Sequence, residues 1–123
     1  MDNLKINSLE NKEHYQSLLI IYGKLLTDYQ RTIVSEYLAE DFSLSEVSEI
    51  HGISRNAVWE TIKRVFKKLD IYEKELNLSY KYHQINNKLD IITNKENEEV
   101  IKEIKELINY GIWIIIRQDA THL

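Results

Sequence analysis

The residues that normally end helices and build tight turns are almost missing from this chain of 123 residues, which has no proline and only three glycines. Folds with many strands need such turns, and glycine and proline are the residues that usually form them. The length suits one domain, or one domain with an appendage. We therefore expect an all-α fold.

Apolar side chains recur three and four residues apart along most of the chain, which predicts a series of amphipathic helices. The first runs from about Glu10 to Tyr22, and Gly23 is expected to stop it. The second opens at Thr27, where Gln30 completes a capping box, and residues 39–43 end it. The predicted inner faces are Tyr15, Leu18, Leu19 and Tyr22 in the first helix and Ile33, Val34, Tyr37 and Leu38 in the second.

Residues 43–76 have the pattern of a helix-turn-helix. Ser43 caps a short helix, Leu44 to His51, and Gly52 can take the left-handed conformation that ends it. Ser54 then caps a long helix, Arg55 to Leu76. The two helices are expected to touch at the small residue Ser48, with Glu46 completing the first cap and Ile53 and Val58 closing the core between them. The predicted inner faces are Leu44, Val47 and Ile50 in the short helix and Ala57, Val58, Ile62, Phe66, Leu69 and Tyr72 in the long one.

The C-terminal third predicts two more helices that pack around this unit. A stripe at heptad spacing indicates that the first of them docks on a partner helix or packs on the chain's own core. Thr93 with Glu96 forms a third capping box before the last helix. We expect a loose N-terminus at 1–9, a helix-turn-helix domain at 10–92, and a C-terminal helix with an apolar tail at 93–123. The tail could be a strand, a packed extended segment or an interface. The stripe is Leu78, Tyr82, Ile85, Leu89 and Ile92, and the last helix carries Val100, Ile101, Ile104, Leu107 and Ile108.

Positive charge is concentrated in the predicted second helix of the motif, although the whole chain has a net charge of -4. Residues 55–68 carry five positive charges against the single negative charge of Glu60, which gives +4 and leaves -8 for the remainder. A local basic stripe can bind a polyanion on an acidic protein because salt screens distant charges. The simpler alternative is that these side chains form a solvated face and that Trp59 packs on a neighbouring helix.

In a helix-turn-helix the second helix lies in the major groove, and its first residues reach base edges. Ser54 lies at the helix N-terminus, where free N–H groups favour a phosphate. Asparagine suits adenine and arginine suits guanine, whereas cations further along the helix meet backbone phosphates. The base-proximal candidates are Arg55, Asn56, Trp59 and Glu60, and the phosphate candidates are Lys63, Arg64, Lys67 and Lys68.

Other functional classes find little support. The absence of cysteine excludes disulfides, thiolate metal sites and cysteine nucleophiles. The four histidines do not stand at metal-ligand spacing, and no glycine-rich phosphate loop is present, so we expect neither an enzyme nor a metal or other cofactor. The N-terminus lacks the apolar core of a signal peptide, and the longest apolar run, 111–116, is too short to span a membrane. We therefore expect a cytoplasmic protein.

The segment 26–76 resembles the YlxM family of small bacterial helix-turn-helix proteins, and its motif is similar to region 4 of sigma-70 factors. The matching pieces are "SLSE" (43–46), "GISR" (52–55) and "IKR" (62–64), together with "LT" before Gln30-Arg31, the pair 57–58, the aromatic Trp59 and "YEKEL" (72–76). The resemblance covers roughly 10–92, and the chain after about Thr93 finds no clear match. Ser48 and His51 stand where the family usually has a small and a large apolar residue, so the His51 ring is expected at the rim.

The resemblance implies an all-helical cytoplasmic homodimer associated with the signal recognition particle pathway. Two functions follow. The first is a nucleic-acid-binding regulatory protein, whose ligand is DNA or structured RNA. The second is an adaptor that binds a component of the particle or the ribosome through its helix faces and does not bind DNA; the acidic net charge and the heptad stripe favour it.

Overall fold

The computed structural model describes residues 9–108, which form six helices and contain no strand. The predicted all-α fold is confirmed. The tail at 111–123 and all but Leu9 of the predicted loose N-terminus lie outside the described residues. The helices are α1 (Leu9–Tyr22), α2 (Asp28–Leu38), α3 (Leu44–His51), α4 (Arg55–Leu76), α5 (Leu78–Ile92) and α6 (98–108), and a 3₁₀ turn (Gly23–Leu25) follows α1.

The hydrophobic core is built around α4, against which α1, α2 and α3 all pack. Val58, Ile62 and Leu69 of α4 are fully buried, as the periodicity predicted. Phe66 stacks on Tyr15 of α1 with ring centroids 3.8 Å apart. Each such aliphatic side chain contributes about 1.5–3 kcal/mol when it is fully buried. The faces predicted for α1 and α2 are confirmed as well: Leu18, Leu19, Tyr22, Ile33, Val34, Tyr37 and Leu38 are all buried.

The connection between α1 and α2 differs in one detail from the prediction. The α-helix ends at Tyr22, but Gly23 does not take a left-handed conformation and instead begins the 3₁₀ turn. Gly23 is buried, and a Cβ added to it would lie 3.4 Å from Cδ1 of Leu19. A Cβ at this position would therefore make an ordinary van der Waals contact with Leu19, so neither the backbone nor the packing requires glycine here. The next helix begins as predicted, since the Thr27 side chain accepts from Gln30 N–H at 3.1 Å and completes a capping box.

The third capping box was predicted one residue too early. The Thr93 hydroxyl donates to the Leu89 carbonyl at the end of α5, so it does not cap α6. Asn94 and Asn97 form the reciprocal pair instead: the Asn97 N–H donates to Asn94 Oδ1 at 3.1 Å, and the Asn94 N–H donates to Asn97 Oδ1 at 2.7 Å. The reciprocal pair therefore lies one residue later than predicted, and it encloses the turn that precedes α6.

A hydrogen-bonded junction fixes the direction in which α5 leaves α4. Asn77 lies between the two helices with φ of 55°, and its side chain caps neither. The Glu73 carboxylate takes that place, because it accepts from Ser79 N–H at 3.0 Å and from the Tyr22 hydroxyl at 2.6 Å. The Tyr22 oxygen in turn accepts from Leu78 N–H at 3.1 Å. α1, α4 and α5 therefore meet at one carboxylate.

The heptad stripe of α5 is only half covered. α5 packs against α1, but none of its residues is buried. Leu78, Tyr82 and Leu89 are half-buried, whereas Ile85 and Ile92 keep 39% and 55% of their surface exposed. The stripe thus contacts the chain's own core and still leaves apolar positions free for a partner. No helix in the described part of the chain is both long and apolar enough to cross a membrane.

Candidate nucleic-acid interface

The two helices of the motif begin at serine caps, as predicted. Ser43 Oγ accepts from Glu46 N–H at 3.1 Å, and Glu46 Oε1 accepts from Ser43 N–H at 3.0 Å, which completes the capping box of α3. Ser54 Oγ accepts from Ala57 N–H at 3.0 Å at the start of α4. A cap of this kind contributes about 1 kcal/mol. Local sequence therefore sets where both helices start.

The turn between the two helices depends on Gly52. Its φ of 64° lies in the left-handed region, which glycine enters without steric cost. This conformation directs the N–H groups of Gly52 and Ile53 to the carbonyl of Ser48, with 3.1 Å between Ile53 N and that oxygen. Val47 and Val58, one on each helix, are fully buried next to the half-buried Ile53. The predicted helix-turn-helix is present.

The inner face of α3 was predicted incorrectly at its last position. Ile50 is 57% exposed, and His51 occupies the inward position one turn after Val47. The Nε2 atom of His51 lies 2.8 and 2.7 Å from the two carboxylate oxygens of Glu36 on α2. The His51 ring therefore lies at the rim, as expected, and it links α3 to α2.

The outward face of α4 carries most of the predicted contact residues. Asn56, Glu60, Lys63 and Lys67 follow one another at spacings of four, three and four residues, so they lie on the side opposite the buried α4 face. They extend over about 16 Å of helix, at 1.5 Å per residue. Lys74 continues the same face seven residues after Lys67 and is also exposed. Lys74 was not among the predicted contact residues, although the same helical spacing leads to it.

The residues at the N-terminus of α4 differ in their exposure and in the contacts that their side chains already make. The Ser54 side chain is engaged as the helix cap, whereas Asn56 is exposed. Arg55 is exposed too, and its Nη1 atom donates to Ser45 Oγ of α3 at 3.4 Å. Trp59 is half-buried and packs against the core, which agrees with the simpler alternative for this residue. Arg55 and Asn56 are therefore the side chains best placed to reach a ligand.

The four predicted phosphate-binding cations fall into two groups. Lys63 pairs with Glu60 at 3.0 Å and lies 5.9 Å from the centre of the Trp59 ring. Lys68 is half-buried, and its Nζ donates to Gln30 Oε1 of α2 at 3.1 Å. Arg64 and Lys67 are exposed, and no residue in the described part of the chain makes a hydrogen bond or ion pair with either one. These two cations can meet a phosphate without breaking an existing contact.

The capped α3–turn–α4 unit with its cationic outer face defines a helix-turn-helix protein within an all-α fold. The family model described as "Putative helix-turn-helix protein, YlxM / p13 like" matches residues 9–108. The chain belongs to this family, UPF0122. The match continues well past Thr93, so the expectation that the resemblance ends there was wrong: it extends through α6.

Several bacterial proteins that are similar to this chain are also UPF0122 proteins. One from Thermoanaerobacter sp. (strain X514) is 45% identical over 82 residues, covering 67% of this chain and 68% of the relative. One from Clostridium perfringens (strain SM101 / Type A) is 36% identical over 111 residues, covering 88% and 98%. One from Streptococcus equi subsp. zooepidemicus is 32% identical over 113 residues, covering 78% and 100%. No solved structure matches the chain.

No group of three or more His, Asp or Glu side chains within residues 9–108 is arranged to hold a metal ion.

Proposed function

We propose that this protein is a nucleic-acid-binding regulatory protein that uses α4 as its recognition helix. The observation that carries the proposal is the pair of exposed cations Arg64 and Lys67, whose side chains have no partner among residues 9–108, on the outward face of a capped helix-turn-helix. Cations on such a face gain affinity from phosphates by releasing condensed counterions. The net charge of the whole chain does not oppose this, because the field at a contact is set within about 10 Å at ordinary salt.

The residues of α4 take different roles in this proposal. Arg55 and Asn56 face base edges, since they are exposed in the first turn of the helix. Glu60 lies one turn further on the same face and accepts from a cytosine amino group once Lys63 has moved to a phosphate. Trp59 acts through packing, because its ring is half-buried. Lys68 is the weakest of the predicted contacts, because binding would cost its hydrogen bond to Gln30. Ser54 contributes through the N-terminus of α4 that it caps.

The family resemblance and the exposed positions of α5 support a wider role. DNA and structured RNA both present the phosphates that Arg64 and Lys67 require, and the proposal places the protein in the cytoplasm, in regulation linked to the signal recognition particle pathway. Ile85 and Ile92 are exposed heptad positions of α5 that suit a homodimer. A homodimer would set a fixed distance between two copies of α4, and hence between two half-sites.

Charge reversal at the two free cations tests the proposal. Arg64→Glu combined with Lys67→Glu removes both cations without breaking an ion pair of the described fold. Lys95→Glu combined with Lys102→Glu is the matched control, because it changes the net charge equally at exposed positions in the turn before α6 and on α6. Affinities for a labelled duplex and for the particle's RNA are measured by fluorescence anisotropy. We expect a loss of at least about tenfold for the first variant and little change for the control.

The alternative function is an adaptor that binds protein partners and not nucleic acid. The half-covered stripe of α5 favours it, because exposed apolar positions at heptad spacing suit a partner helix. Ile85→Lys and the combined Arg64 and Lys67 variant separate the two functions. If the wild-type protein binds neither nucleic acid but binds a protein of the particle, and Ile85→Lys abolishes that binding, the adaptor is correct. If the Arg64 and Lys67 variant loses nucleic-acid binding and keeps its fold, the regulator is correct.

A further inference from the structure

A single carboxylate lies in the middle of the cationic face of α4. Glu60 is the only acidic residue between 55 and 69, a stretch that carries five lysines and arginines. It lies one helical turn after Asn56 and one turn before Lys63 and Arg64, on the outward side of the helix. Its side chain is 46% exposed, so a ligand that covers this face meets it. A carboxylate repels phosphates, so this residue has a different task from the cations around it.

Glu60 holds the nearest cation in place on the helix surface. Lys63 Nζ lies 3.0 Å from Glu60 Oε1 and 5.9 Å from the centre of the Trp59 ring. The ring is half-buried against the core and is therefore a fixed platform for the ammonium group. Exposed ion pairs and cation–π contacts are each weak, and together they favour this position of Lys63 by a factor of about three to ten. Lys63 is thus less available to a phosphate than Arg64 or Lys67.

A hydrogen-bond donor on a base can replace Lys63 as the partner of Glu60. In the major groove of duplex DNA, the amino group of cytosine donates to a carboxylate. Once Glu60 accepts from that group, Lys63 is free to move to a backbone phosphate. On a sequence without the donor, Glu60 keeps Lys63 and repels the nearby phosphates. The deep, narrow major groove of A-form RNA does not admit side chains, so this exchange is specific to duplex DNA.

We propose that Glu60 is the specificity-determining residue of α4, which keeps Lys63 from the phosphates of non-cognate duplex DNA and releases it where a cytosine amino group meets the carboxylate. This inference rests on the proposed nucleic-acid-binding function and adds to it the basis of discrimination. Specific interfaces often combine an attractive contact to the correct ligand with a repulsive one to the others. Removing the negative charge therefore strengthens binding to non-cognate DNA and weakens the preference among sequences.

Glu60→Gln tests this role, because glutamine keeps the length and the helix propensity of glutamate. The full chain is titrated by fluorescence anisotropy against a labelled mixed-sequence DNA duplex at several salt concentrations. We expect the variant to bind this duplex about three- to tenfold more tightly than the wild type. Its slope of log affinity against log salt should steepen by about 0.9, the value for one additional phosphate contact.

Two further variants separate the action of Lys63 from a general charge effect. Glu75→Gln removes the same charge at an exposed position about 22 Å further along α4, beyond the screening length of about 10 Å, and should change little. In a Lys63→Met chain, Glu60→Gln should leave the salt slope unchanged, because the cation that it would release is absent. Far-ultraviolet circular dichroism checks that all the variants keep the helical fold.

Selection from a random-sequence duplex pool tests the base contact. The wild type and Glu60→Gln are each used to enrich bound duplexes, which are then sequenced. We expect the wild type to enrich cytosine at one position of the bound site and the variant to lose that enrichment.

Four results would overturn the proposal. Equal affinity and salt slope for the wild type and Glu60→Gln would mean that Glu60 does not restrain Lys63. The same steepening in the Lys63→Met chain would mean that the carboxylate acts without Lys63. Enrichment of the same bases by both proteins would mean that Glu60 does not contact a base. Each of these leaves the proposed function intact, whereas a wild-type protein that binds no duplex overturns the role of Glu60, and the proposed function falls as well if it binds no RNA.

Discussion

Replacing Gly52 by alanine measures the free-energy cost of the left-handed backbone conformation that ends α3. Gly52 has φ of 64° and ψ of 34°, and a Cβ added there would meet no atom within 4 Å. The cost is therefore conformational and not steric. A left-handed conformation costs a residue with a Cβ about 1–2 kcal/mol. Alanine also has less conformational freedom than glycine in the unfolded chain, and this offsets about 0.4–1 kcal/mol of that cost.

Because both terms apply, we expect Gly52→Ala to lower the free energy of unfolding by about 1 kcal/mol. Urea titration followed by far-ultraviolet circular dichroism measures it. Gly52→Asn is the matched variant, since asparagine enters the left-handed region more easily than alanine does. The expected order of stability is Gly, then Asn, then Ala, with α3 and α4 intact in all three.

Two results would refute this reasoning. An alanine variant as stable as the wild type would mean that residue 52 is not held in the left-handed region. A loss of more than about 4 kcal/mol would require a specific contact at this position, which contradicts the open space around it.

The remaining predictions concern the core, the α2–α3 link and alkaline pH. Ile62→Ala, at a fully buried position of α4, should lower the free energy of unfolding by about 2–5 kcal/mol in urea titration. His51→Ala should cost about 1–3 kcal/mol, because it leaves the half-buried carboxylate of Glu36 without its partner, and Glu36→Gln in the same chain should recover part of that loss. Burial, followed by hydrogen bonds to carboxylates, raises the pKa of Tyr15 and of Tyr22 from 10.0 to about 12. Unfolding therefore releases protons above pH 10. The stability that both tyrosines contribute should be intact below pH 10 and lost towards pH 12. Tyr22→Phe should weaken this pH dependence, which is measured from urea midpoints between pH 10 and pH 12.

Periodicity predicted α1 to α4 well because each of these helices buries one face against a single core. The caps at Ser43 and Ser54 and the turn at Gly52 were also predictable, since each depends on residues within a few positions along the chain. Ile50 was assigned wrongly because the choice between it and His51 is made by Glu36, fifteen positions earlier. Local pattern contains no information about such a partner.

In the candidate site, too, features that depend on nearby residues were predicted, and features that depend on a partner from another helix were not. The sequence located the cationic face of α4, because helical spacing alone brings Lys63 and Lys67 to one side. It did not show which cations are already engaged, since the partner of Lys68 is Gln30 on another helix. The prediction of the third capping box failed for a different reason: Thr93 and Asn94 are both suitable residues, and a hydrogen bond from Thr93 to the preceding helix decides between them.

The salt dependence of nucleic-acid binding tests the central claim most directly. The purified protein is titrated by fluorescence anisotropy against a promoter-containing duplex, an unrelated duplex and the signal recognition particle RNA, each at several salt concentrations. The account predicts binding to at least one ligand, with a slope of log affinity against log salt of several units. The slope should fall by about two when Arg64 and Lys67 are both reversed. No binding to any of the three at low salt and micromolar protein would contradict the account.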